Sequence, residues 1–206
     1  MKVHLIRSEG YDIEDFNNVL NLLKSHRGSI EFVPSEPILL PEAQNNILFE
    51  NMDALLTKHT PSFSMVEKNV FAKYVFPLEE PVWTWAQLFK VCTDFRAKNN
   101  IPESDHVFLL TERFNDMNWF GGIDPTMHNY FIHTEGWEIF FDHNIDTRFP
   151  ISYEITVWLL RSLLFKNQQE ILKFAHDDSR GCMMDFCQNK REITIKMRTA
   201  DVCPEC

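Results

Sequence analysis

Apolar residues recur at Ile13, Phe16, Leu20 and Leu23, the spacing of one helical face, so a helix is expected over Ile13–Lys24. Val3–Ile6 before it reads as a short strand, and Ser29–Val33 after it as a second, stopped by Pro34 and Pro37. The signal weakens from Pro41 to Met65, where Ala43–Lys58 fits a short helix or a covering loop. Val70, Ala72, Tyr74 and Phe76 then alternate as a strand does. Thr84 is an N-cap for a helix carrying Trp85, Leu88, Phe89, Cys92 and Phe95 on one side and ending near Asn99-Asn100. Three strands are expected at 106–112, 118–123 and 129–134. The turn Thr134-Glu135-Gly136 would send Trp137–Phe141 back as a hairpin partner. Gly121-Gly122 marks a bulge or a close backbone approach. From Pro150, the segment Ile151–Lys166 is the most apolar helix of the chain, and most of its circumference should be buried. Helices over Gln168–His176 and, more ambiguously, Glu192–Ala200 complete the pattern. Consecutive strands followed by one buried helix point to an α+β or α/β fold with a mixed sheet. No repeat or linker divides the chain, so residues 1–206 are read as one domain.

Composition changes this picture little: 206 residues suffice for a substantial core, and eighteen Phe with five Trp make that core aromatic. A formal net charge of −10 without a long basic run argues against a nucleic-acid partner, which would need clustered Lys and Arg. No segment is long and apolar enough to span a membrane, and Met1–Ile6 breaks at Arg7 before any secretory apolar region forms. A cytoplasmic protein is the expectation.

The cysteines alter the picture most. Four of the five form Cys182-x4-Cys187, fifteen intervening residues, then Cys203-x2-Cys206. Two short loops, each presenting a thiolate pair, are what one tetrahedral structural Zn²⁺ requires, so residues 181–206 are read as a zinc-binding subregion with these four ligands. Two disulfides are the alternative the pattern leaves open. Lys190, Arg191, Lys196 and Arg198 lie between the pairs and would offset the surplus thiolate charge. Cys92, on an apolar helical face, reads as a buried inert thiol.

This C-terminal pattern resembles that of the archaemetzincins, zinc peptidases in which a buried active-site helix precedes C-x4-C and a later C-x2-C. The resemblance implies a metzincin-like scaffold and a structural zinc on Cys182, Cys187, Cys203 and Cys206. It also shows what is missing. The family's H-E-x-x-H-x-x-G-x-x-H becomes Tyr153-Glu154-Ile155-Thr156-Val157, with Leu160 at the turn glycine and Leu163 at the third histidine. Glu154 stands where a general base would, but neither helix ligand is a histidine, so no catalytic residue beyond that candidate is assigned. The expectation is a zinc-binding pseudo-peptidase that acts by protein–protein interaction, with loop-adjacent Phe63, Trp83, Trp119 and Phe120 as a recognition patch. The rival is a hydrolase with a non-standard metal centre on His143, His176 and Glu154. Glu154 and Arg161, seven apart on one helix, would otherwise belong to an internal polar network.

Overall fold

The structure is a computed structural model describing residues 1–40, 82–141, 145–187 and 189–206. The elements expected at 43–58 and 70–76, together with Phe63 and His143, lie outside the described residues. Strands β1 (Lys2–Arg7), β2 (Glu31–Pro34), β3 (His106–Thr111), β4 (Gly121–Ile123) and β5 (Asn129–His133) form one sheet in the order β2-β1-β3-β5-β4. All pairs are parallel except β4–β5, which is antiparallel, with Gly121 opposite Ile132 and Ile123 opposite Tyr130.

Helix α1 (Ile13–Lys24) starts where Asp12 accepts from the Glu14 and Asp15 amides, and it buries Phe16, Val19 and Leu20. Helix α2 (Trp85–Asn99) opens on a capping box between Thr84 and Gln87 and closes at Asn100 in the left-handed region. Helix α3 (Arg148–Leu164) is the buried one foreseen from its composition, with Ile151, Ile155, Val157, Trp158 and Leu159 all buried. Two short helices follow, α4 (Gln168–Phe174) and α5 (Ile193–Thr199), the latter ended by Ala200 in the left-handed region.

Period-two alternation sorts the sheet residues between two layers. Val3, Leu5, Phe108, Leu110, Tyr130 and Ile132 join the core under α1 and α3, whereas Ile6, Val107, Leu109 and Phe131 pack under α2 with Leu88, Val91 and Cys92. Each large apolar side chain so buried is worth about 1.5–3 kcal/mol. Cys92 is indeed an inert core thiol: its Sγ donates to the Tyr130 carbonyl at 3.3 Å, and burial pushes its pKa up to about 12. Among the described residues no helix is long and apolar enough to cross a membrane.

Two expectations need correction. Residues 137–139 form a 3₁₀ turn rather than a returning strand, because Gly136 takes φ 76° and the Trp137 indole donates back to the His133 carbonyl at 3.2 Å. Trp83, expected near the surface, is 2% exposed and belongs to the α2 layer.

The glycine pair of β4 is a close approach. A Cβ at Gly121 would lie 2.8 Å from Trp158 Nε1 and 2.9 Å from both Ile132 Cδ1 and the Phe131 carbonyl oxygen. This contact lets α3 settle against the sheet edge. Gly121→Ala should therefore cost about 1–3 kcal/mol. The denaturant midpoint should fall with the slope unchanged; an unaltered midpoint would show that the helix has room to give.

Candidate zinc centre and adjoining cleft

Helix α3 ends at Leu164, and the chain then wraps back through α4 so that two loops meet near the carboxyl end. His176, Cys182, Cys203 and Cys206 each contribute one donor atom, and the four atoms lie within 4.8 Å of one another. Cys182 Sγ is 3.8 Å from Cys206 Sγ, and Cys203 Sγ is 3.7 Å from Cys206 Sγ. His176 Nε2 is 3.7 Å from Cys203 Sγ and 3.3 Å from Cys206 Sγ. These separations are far beyond a disulfide bond of about 2.05 Å. They match the edges of a tetrahedron, since Zn–S bonds of about 2.3 Å place two ligand sulfurs about 3.8 Å apart. Three thiolates and an imidazole are also the soft donor set that selects zinc. The group can hold one metal ion, with four protein donors to fill the tetrahedral positions as in a structural site.

Asp185 organises the centre from behind. Its Oδ1 lies 3.0 Å from His176 Nδ1, the carboxylate–imidazole contact that fixes a ligand's tautomer. Its Oδ2 accepts from the amides of Arg180, Gly181 and Cys182 at 2.8, 2.7 and 3.0 Å, which shapes the first loop around Gly181 at φ 82°. The amides of Met184 and Cys203 point at Cys182 Sγ at 3.4 and 3.3 Å. Bridges between His176 and Asp185 and between Cys182 and Asp201 tie the loops together.

The ligand set thus differs from the four cysteines expected from spacing. Three of them converge, and His176 takes the fourth place. Cys187 lies in the left-handed region at φ 54°, which turns it away from the centre into the main apolar core. There it is 7% exposed, and burial pushes its pKa up to about 11. The lysines expected to compensate thiolate charge are also elsewhere. Lys190 donates to Asn118 Oδ1 at 2.8 Å, and Lys196 Nζ lies 3.8 Å from Glu154 Oε1.

Both lysines line a cleft of about 290 Å³ between α3, the segment entering β4, and the tail. Its walls include Trp119, Phe120, Trp158, Ile171, Leu172 and Phe186, with Glu154 and Arg161 on the α3 side. Trp119 meets Trp85 and Phe186 edge-on at 5.1 and 4.7 Å, and Phe120 stacks on Trp137 at 4.6 Å. Of the four aromatics expected as a recognition patch, Trp119 and Phe120 are therefore cleft walls, partly buried. Arg161 donates to the Met183 carbonyl at 2.8 Å and stacks over the Trp158 ring at 4.8 Å. Glu154 and Arg161 do share a buried face, but each is partnered by the tail rather than by the other. Burial pulls Lys190 down to about 7 and lowers Lys196 as well, although Glu154 opposes the latter shift.

The two positions flanking Glu154 are used structurally. The Tyr153 hydroxyl donates to the Lys196 carbonyl at 3.2 Å, and Val157 is fully buried. His176, the rival centre's second ligand, has Nδ1 on Asp185 and Nε2 among the sulfurs, and does not join Glu154. The sequence did carry a signal for its role, namely a histidine six residues before Cys182 with an acidic partner three beyond it. Nothing in the one-dimensional pattern marked Lys190, Asn118 and Trp158 as neighbours.

No family profile and no curated protein matches the sequence. Solved structures do match. A zinc-dependent peptidase from Methanocorpusculum labreanum aligns over 99% of this chain and 97% of its own, with 14% identity and a TM-score of 0.45. Archaemetzincin from Archaeoglobus fulgidus aligns over 100% of this chain and 98% of its own, with 11% identity and a TM-score of 0.53. This chain has the fold of archaemetzincin.

Proposed function

We propose that this protein is a zinc-stapled, non-catalytic member of the metzincin-like fold that works by holding a protein partner in the cleft beside α3. The observation that carries the reading is the fate of Glu154. A general base needs a free carboxylate beside a metal-bound water. Glu154 is instead 3% exposed and faces the Lys196 ammonium at 3.8 Å, between Tyr153 and Val157, neither of which ligates metal through an imidazole. The rival hydrolase reading loses His176 to the sulfur centre. The aromatic walls supply the apolar, partly exposed surface on which protein interfaces concentrate their energy. Cys182, Cys203 and Cys206 can ligate zinc only as reduced thiolates, which suits a reducing compartment, so the proposal includes a cytoplasmic location.

Elemental analysis of the purified protein, paired with a peptide-library cleavage assay, tests the reading. One zinc per chain and no metal-dependent cleavage are expected. A second zinc, or cleavage abolished by chelation, would overturn it.

A further inference from the structure

The cleft is richer in positive charge than its neighbourhood can use. Lys190 is 8% exposed, and its ammonium has three N–H donors but, among the described residues, a single hydrogen-bond acceptor, Asn118 Oδ1. Among the described residues it forms no ion pair, and desolvation alone accounts for its lowered pKa. It lies 4.6 Å over the Phe120 ring. The next residue, Gly121, approaches Trp158 Nε1, and Arg161 stacks on that same indole. Along this wall three more donors, on residues at least nine-tenths buried, have no hydrogen-bond partner: Asn118 Nδ2, Trp158 Nε1 and Arg161 Nε. Buried N–H groups without acceptors each cost about 1–3 kcal/mol. All four residues line one cavity, together with the Glu154 carboxylate, whose Oε1 also has no hydrogen-bond partner.

We propose that this wall is a carboxylate-binding pocket, taking an acid that carries an apolar group against Trp119, Phe120 and Leu172. The inference rests on the non-catalytic reading above and names what the cleft holds. A carboxylate is acceptor-only and singly charged, which suits one unpaired ammonium and neighbouring N–H groups. A phosphate dianion suits them less, because the Glu154 carboxylate stands in the same cavity and repels a second charge. The volume of about 290 Å³ is at the small end of ligand pockets and fits one residue rather than a long segment. The same chemistry is offered by the C-terminal residue of a protein partner and by a small free aromatic acid.

The test uses zinc-loaded full-length protein and follows tryptophan fluorescence, since Trp119 and Trp158 line the cavity. The probes are a hexapeptide ending in phenylalanine as free acid, the same peptide as its C-terminal amide, 3-phenylpropionate, and inorganic phosphate. The free-acid peptide should bind about tenfold or more tighter than the amide, the usual worth of one charge-assisted hydrogen bond. Lys190→Met should remove that preference. Trp158→Phe keeps an aromatic ring but loses the N–H, and should weaken the acid about fivefold or more by the same measure. A peptide acid that outbinds 3-phenylpropionate identifies the source as a protein C-terminus; equal binding identifies a small acid. Indistinguishable acid and amide, tighter binding of phosphate, absence of saturation by any acid, or a Lys190→Met protein that still prefers the acid would overturn the pocket. Cleavage of the hexapeptide would instead sink the non-catalytic reading, so the two failures are separable.

Discussion

His176→Ala should strip the zinc and release the last thirty residues from the body, while Cys187→Ala should keep one zinc per chain. Loss of a structural metal belongs to the most damaging single changes, at more than about 4 kcal/mol, because the binding energy of the ion is folding energy. Apart from the metal, the tail is held by Cys187 and Ile193 in the core and by Lys190 and Lys196 in the cleft. Helix α5 has seven residues, and the last residues from Val202 onward are largely exposed. The damage would not stay in the tail, because Arg161 hangs on the Met183 carbonyl and Glu154 faces Lys196, both tail residues. Without the metal these two α3 charges lose their partners, and the cleft opens. Elemental analysis and limited proteolysis of the His176→Ala and Cys187→Ala variants check this. The cost of Cys187→Ala should be that of a small core cavity, about 1–2 kcal/mol, with protease resistance of the tail retained. Zinc kept by His176→Ala but lost by Cys187→Ala would restore the four-sulfur site read from spacing.

That contrast also explains how much the chain discloses of itself. Helices α1 and α2 were legible to the residue because Asp12 and Thr84 cap them and their apolar faces recur at helical spacing. Strands β1, β3 and β5 were legible because each is a short apolar run bounded by turn residues. Trp137, Ile139 and Phe141 alternate just as well, yet a left-handed Gly136 and the demand of the Trp137 indole for an acceptor wind them into a turn. The metal centre was legible in kind but not in membership. Spacing reports which cysteines are near in sequence, and a left-handed φ at Cys187 then decides where its sulfur points. The basic residues of the tail misled for a related reason. Spaced six apart, Lys190 and Lys196 look like a solvated or thiolate-facing set, but the 3₁₀ turn at Lys190–Glu192 and helix α5 send both inward to the cleft.

Glu154→Gln is the change that separates a retired active-site carboxylate from a working one. If Glu154 now serves to neutralise Lys196, the variant should lose about 3–5 kcal/mol, the cost of leaving a buried charge unpaired. A second change, Lys196→Met, should return most of that loss, since an apolar pair of similar size can replace a buried ion pair with little penalty. The pH dependence gives an independent reading. Lys190 and Lys196 both have pKa values lowered on folding, with Lys190 at about 7 against an unfolded value of 10.5. Between those values the unfolded chain binds more protons than the folded one, so stability rises with pH and is lost as pH falls toward 7. Above about 9 the buried thiols of Cys92 and Cys187 offset that rise, because they stay protonated when folded while the unfolded thiols ionise. The rise should therefore occupy pH 7 to 9. Removing the Glu154 charge removes what supports the protonated Lys196, so Glu154→Gln should steepen that rise, and Lys190→Met should flatten it. Denaturant melts at pH 7, 8 and 9 measure both slopes. A Glu154→Gln protein as stable as the parent, with an unchanged slope, would mean that the carboxylate is not spent on Lys196 and is free for chemistry.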